Sequence, residues 1–146
     1  MYFVNRQEIE AILAYMETLL EESKQHRFES KLEKLALERL VHMLIESIID
    51  VGNKMIDGFI MRDPGSYEDI IEILVDEKVL PQDELPHYVA FIKLRDMLVR
   101  EYHTVNHEQL ITAMQRNQQM LGAFNEHITS YLDNELGVAN TFSNEK

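Results

Sequence analysis

A chain of 146 residues is long enough to bury one continuous core and too short for two. Hydrophobic residues at 45% and charged residues at 27% fit a globular protein, and the absence of cysteine excludes disulfides, thiolate metal sites and cysteine nucleophiles. A net charge of −12 argues against tight nonspecific binding of nucleic acid by the whole surface, so an RNA site must be a local basic patch or be completed by a second subunit or partner.

Helix-forming residues dominate, and only five glycines and three prolines interrupt them. Asn5, with Glu8 reaching back to it, predicts the start of a first helix that carries Ile9, Ile12, Leu13, Met16, Leu19 and Leu20 on one face. A polar break from Lys24 to Glu29 follows, and Ser30 with Glu33 forms a capping box ahead of a long second helix, expected to reach about Phe59. The segment MRDPGSYED is a turn in which Ser66 and Asp69 cap a third helix over about Tyr67 to Glu77. Pro81 opens a fourth helix, expected to run to Tyr102 or His103 with Pro86 confined to its first turn. Asn106 and Gln109 make a further capping box, and the last helix carries Leu110, Met114, Leu121, Phe124, Ile128, Tyr131 and Leu132 before Gly137 ends it. The fold class that follows is all-α, an antiparallel bundle of about five helices, with residues 1–137 as a single domain and 138–146 as a flexible tail. The amino terminus lacks the pattern of a signal peptide and no segment is apolar over a membrane-spanning length, so a cytoplasmic protein without a membrane is expected.

Two clusters could carry chemistry. On the second helix Arg39, His42, Glu46, Asp50, Asn53 and Asp57 recur at three- and four-residue spacing and form one polar stripe, either solvated or lining a groove between subunits. His42, Glu46 and Asp50 are metal-ligand types, but the Glu-x-x-His step of bundle metal sites is missing, so neither metal nor cofactor is expected. On the fourth helix Phe91, Leu94, Leu98 and Tyr102 fall on an apolar stripe, with Arg95 at its edge and Arg100 nearly opposite. A charge at the edge of an apolar stripe needs a partner, so Arg95 is expected either at an interface or in a salt bridge to Glu46 or Asp50. Arg100 and His103 read as solvent-exposed, and Tyr102 is equally compatible with an ordinary core tyrosine.

The run ALERLVHMLIESIIDVGNKMIDGFIMRDPGSYEDIIEILVDEKVL, followed by LRDMLVREY, resembles the HepT-like family of HEPN-domain ribonuclease toxins, in particular its YutE-like subgroup of bacterial proteins. The resemblance extends from the first helix through Leu136. It implies a HEPN-like helical bundle that forms a homodimer, and a metal-independent endoribonuclease that acts as the toxin of a toxin–antitoxin system. It also implies a nucleotidyltransferase antitoxin as partner, which silences such toxins by transferring AMP to a motif tyrosine. The family motif is an arginine, a polar residue, three further residues, a histidine, one residue and the tyrosine. Arg95 matches the arginine, Asp96 the polar residue and Tyr102 the tyrosine, while Arg100 stands where the histidine belongs.

Metal-free cleavage of RNA needs a base for the ribose 2′-hydroxyl and a positive charge for the transition state. Arginine supplies the second and, staying protonated, not the first. His103 is the nearest substitute in sequence, with seven residues between it and Arg95. The candidate catalytic set is therefore Arg95, Asp96, Arg100 and His103, with Tyr102 as the modification site. A weakened enzyme, a dimeric module that binds RNA or nucleotide without cleaving it, and a helical protein unrelated to RNA all remain compatible with the residues.

Overall fold

The computed structural model describes residues 2–143, and side chains as far as 137. Among the described residues the chain forms α1 (Arg6–Ser23), α2 (Lys31–Gly58), α3 (Tyr67–Asp76), a 3₁₀ turn (Gln82–Glu84), α4 (Leu85–Arg100) and α5 (His107–Ser143), with no strand. The all-α bundle of five helices is the one the periodicity predicts.

Local side-chain chemistry fixes the helix starts. Glu8 N–H donates to Asn5 Oδ1 (3.2 Å), Asp69 N–H to Ser66 Oγ (3.1 Å) and Gln109 N–H to Asn106 Oδ1 (3.1 Å). At Ser30 the full reciprocal box forms, since Glu33 Oε1 also accepts from the Ser30 N–H (3.1 Å). The other expected return contacts are diverted to tertiary partners. The Glu8 carboxylate pairs with Lys54 of α2 (2.7 Å), and the Asn106 N–H donates to Met97 Sδ (3.4 Å). Asp69 accepts two hydrogen bonds from Arg62 (2.9 Å each) and one from the Gly65 N–H (2.8 Å), which holds its carboxyl down at about 2 and pins the turn before α3.

Helix ends differ from expectation in two places. α4 stops at Arg100 because Glu101 leaves the helical region (φ −113°, ψ 40°) and its carbonyl accepts from the Thr104 N–H (2.9 Å), closing a turn toward α5. Tyr102 and His103 therefore lie beyond the helix, and Tyr102 is 69% exposed rather than part of the apolar stripe. Gly137 does not end α5, which continues to Ser143. A glycine weakens a helix interior by about 1 kcal/mol but keeps its N–H and carbonyl, so the ladder can run through it. Of the tail expected over 138–146, residues 144–146 lie outside the described residues.

α2 is the central element and packs against α1, α3, α4 and α5. Its Leu37, Val41, Leu44, Ile45, Ile48, Val51 and Met55 are fully buried and, with Leu40, Ile49 and Ile56 also buried, the apolar residues span about half of the helix circumference, which explains why they are too many for a single seam. Tyr88, Phe91 and Phe124 close the core between α4 and α5, and the Tyr88 hydroxyl, its pKa pushed up by burial, donates to the Met120 carbonyl (3.2 Å).

Gly52 sets how closely α2 and α3 approach. A Cβ built there would lie 2.4 Å from Ile70 Cγ2, and Ile70 is buried and β-branched. Gly52→Ala gains ~1 kcal/mol of helix propensity but incurs an overpacking cost of ~1–3 kcal/mol. With contact this short the cost sits at the upper end, and urea denaturation is expected to show a net loss of roughly 1–2 kcal/mol. Equal or greater stability than wild type would mean that α3 can shift without penalty.

Candidate functional site on the face of α2 and α4

Arg95 sits in the second half of α4 and leans onto α2. Its Nε donates to Glu46 Oε2 at 2.6 Å, and its guanidinium carbon lies 4.8 Å from the centre of the Tyr67 ring at the start of α3. Both partners of the ion pair are partly buried, with side chains 27% and 30% exposed. The Glu46 hydrogen bond raises the Arg95 pKa further above its already high value, so the guanidinium is permanently charged. The salt bridge to Glu46 is one of the two partners the helical spacing suggested.

The same Glu46 oxygen lies 3.4 Å from His42 Nε2. His42 and Glu46 are one helical turn apart on α2 and Arg95 comes from α4, so a histidine, a carboxylate and an arginine meet at one point on the surface. The sequence placed His42 on the stripe but did not pair it with Arg95. The signal that could have done so is the i,i+4 step from His42 to Glu46 combined with the need of Arg95 for a carboxylate. The rest of the stripe does not join the cluster. Arg39, Asp50 and Asp57 are exposed, Asn53 is half-buried, and Arg39 borders an apolar hollow with Leu19, Phe28 and Leu32.

The remaining motif residues point elsewhere. Arg100 and Asp96 are 80% and 82% exposed and face each other at 3.6 Å, a solvated i,i+4 pair of little energetic weight. Tyr102 and His103 stand in the turn after α4 with ring centres 5.5 Å apart, both exposed. Arg95 is thus the one motif residue engaged with the body of the bundle. Among the described residues no group of three His, Cys, Asp or Glu side chains converges as metal ligands would, and no helix is long and apolar enough to cross a membrane.

This arrangement supplies a fixed cation and a titratable imidazole joined by a carboxylate. His42 turns its Nε2 toward the Glu46 carboxylate (3.4 Å), so that in the Nε2-protonated tautomer Nδ1 is the proton acceptor, and the nearby guanidinium can stabilise charge that develops on a phosphoryl oxygen.

Comparison with known proteins gives a family and a close relative of known structure. A family model described as Ribonuclease HepT-like matches residues 8–128. The sequence is 45% identical over 143 residues to YutE of Bacillus subtilis (strain 168), which carries the provisional name of an RNase, with 97% of this chain and 99% of that protein covered. The fold is similar to the solved structure of Bacillus subtilis YutE, described there as a cytosolic protein of unknown function, with a TM-score of 0.91, 46% identity and coverage of 94% of this chain and 96% of that one.

Proposed function

Because the chain belongs to the Ribonuclease HepT-like family, we propose that it is a metal-independent endoribonuclease with reduced catalytic power, the toxin of a toxin–antitoxin pair. The observation that carries the reading is the meeting of Arg95, Glu46 and His42 on the face of α2 and α4. His42 Nδ1 takes the proton of a ribose 2′-hydroxyl, whose oxygen attacks the adjacent phosphorus. Arg95 stabilises the charge on the non-bridging oxygens, and the 5′-oxygen leaves with a proton from water. The products are a 2′,3′-cyclic phosphate and a 5′-hydroxyl. Arg100 cannot donate that last proton, which is why the rate is low.

The working unit is a homodimer. Val99, one turn beyond Arg95, and Tyr67, beneath its guanidinium, are large apolar side chains left exposed on either side of the site. Pairing over this face would give them cover and place two Arg95 sites in one cleft. The partner in regulation is a nucleotidyltransferase antitoxin that transfers AMP to Tyr102, whose exposed position leaves its hydroxyl within reach of an enzyme. The protein acts in the cytoplasm, and RNA is its substrate.

The exposed Arg100 at the histidine position favours a second reading, a dimeric module that binds RNA or nucleotide and does not cleave. A pH–rate profile separates the two and identifies the base. Cleavage by wild type is expected to rise with pH as the general base loses its proton. His42→Gln should lose roughly 10²–10⁴-fold in rate together with that rising limb, while His103→Gln keeps both. Loss in His103→Gln alone would move the base to His103, and a wild type that binds RNA without any turnover would establish the second reading.

A further inference from the structure

The chain has 26 acidic residues against 14 basic ones, so a lysine or arginine without an acidic partner is a choice and not a shortage. Among the described residues seven form no ion pair, and four of these, Arg27, Lys31, Lys34 and Arg39, fall within thirteen residues around the start of α2. Lys31 and Lys34 share a cleft of about 350 Å³ with Leu35 of α2 and with Tyr102, His103 and His107 from the far side of the α4–α5 turn.

The one acidic residue lining this cleft is already engaged, and so is Glu33 on the neighbouring turn of α2. Glu38 on its wall is held by His107 (2.7 Å), and Glu33 is turned back onto the Glu29 and Ser30 N–H groups (3.1 Å each). Two unpaired ammonium groups therefore face an exposed aromatic ring and an exposed imidazole. Leu35 and Tyr102 are large apolar side chains left 52% and 69% exposed at the same place. Basic groups interleaved with an exposed aromatic ring suit one kind of ligand, a flexible strand with alternating anionic and planar groups.

We propose that this cleft is a binding subsite for single-stranded RNA, in which Lys31 and Lys34 hold backbone phosphate and the Tyr102 ring stacks on a base. The inference rests on the ribonuclease reading and deepens it by naming where the strand lies outside the Arg95 cluster. It also reconciles RNA as substrate with a charge of −12, because attraction is confined to one patch. The subsite selects strand and not sequence, since phosphate contact and stacking are common to every nucleotide.

The test is fluorescence anisotropy with a short, fluorescein-labelled, fully 2′-O-methylated RNA, which has no free 2′-hydroxyl and cannot be cut, titrated from about 50 to about 200 mM salt. The double variant Lys31→Ala/Lys34→Ala is expected to bind roughly tenfold or more weakly, with the slope of log K against log salt reduced by about 1.4. The charge-preserving Lys31→Arg/Lys34→Arg should bind as wild type does. Tyr102→Ala should lose roughly five- to hundredfold in affinity with the salt slope unchanged, and Tyr102→Phe should retain it. Wild-type affinity and slope in the double alanine variant overturn the subsite while leaving the ribonuclease reading to its own cleavage assay. An equal loss on Lys93→Ala, an exposed unpaired cation of α4 outside the cleft, overturns it in favour of diffuse attraction. No measurable binding by wild type overturns the subsite and leaves the ribonuclease reading to its own cleavage assay.

Discussion

Arg95→Ala is expected to lower RNA cleavage by at least about 10²-fold, the typical cost of removing one group that stabilises transition-state charge. Three features single out this arginine. It is the motif residue held against the bundle, its Nε is fixed by Glu46 at 2.6 Å, and its guanidinium rests 4.8 Å from the Tyr67 ring centre. These contacts orient the cation before substrate arrives, which is what makes a charge effective in catalysis. The variant also leaves Glu46 partly buried without its partner, so some stability is lost as well, and thermal denaturation must accompany the assay. Arg95→Lys separates the two effects. It keeps the charge against Glu46 but loses the planar fork, so stability should largely recover and cleavage should recover only in part. A rate that is unchanged in Arg95→Ala would reduce the Arg95–Glu46 contact to a structural salt bridge.

Arg100→His is expected to act in the opposite direction, raising the cleavage rate by at least about 10²-fold, the lower bound for a positioned general acid or base. The wild-type guanidinium is 80% exposed and meets only Asp96 at 3.6 Å, so its removal costs the fold little. The imidazole introduced by Arg100→His exchanges protons near neutral pH and can protonate the departing 5′-oxygen, a step that the proposed mechanism leaves to water in wild type. The gain should appear as a descending limb in the pH–rate profile, the signature of an essential acid. If the rate does not change, position 100 lies out of reach of the scissile phosphate.

Much of the bundle is legible in the sequence because helix starts are written in single residues. Asn5, Ser30, Ser66 and Asn106 each present a side-chain acceptor to an N–H three residues on, and the structure realises all four contacts. Helix ends are less legible, since nothing local requires them. α2 and α3 are followed by Ile60 and Lys78 in the left-handed region (φ 57° and 64°), positions where glycine is the usual marker and neither residue gives a signal. The end of α4 was likewise invisible. Tyr102 continues the apolar spacing of Phe91, Leu94 and Leu98, and only the turn closed by Glu101 and Thr104 removes it from that face.

The site was legible in halves. Spacing placed Arg95 at the edge of an apolar stripe and named Glu46 as a partner, because a half-buried charge has few affordable neighbours. That His42 shares Glu46 with Arg95 was hidden, since which residues of a polar stripe are solvated depends on which neighbouring helix covers them. α4 reaches Glu46, the neighbour of His42, through Arg95, whereas Asp50 and Asp57 stay in solvent. The lysine cleft was hidden for the same reason, as Lys31 and Tyr102 are far apart in sequence and meet only when the α4–α5 turn folds back over α2.

The most direct test of the central claim is an end-mapped cleavage assay on wild-type protein in excess EDTA, with one RNA and the all-deoxy strand of the same sequence. The expected result is slow internal cleavage of the RNA alone, leaving 2′,3′-cyclic phosphate and 5′-hydroxyl ends at a rate insensitive to the chelator. Absence of cleavage above the buffer control, cleavage of the deoxy strand, or loss of activity on chelation would contradict it.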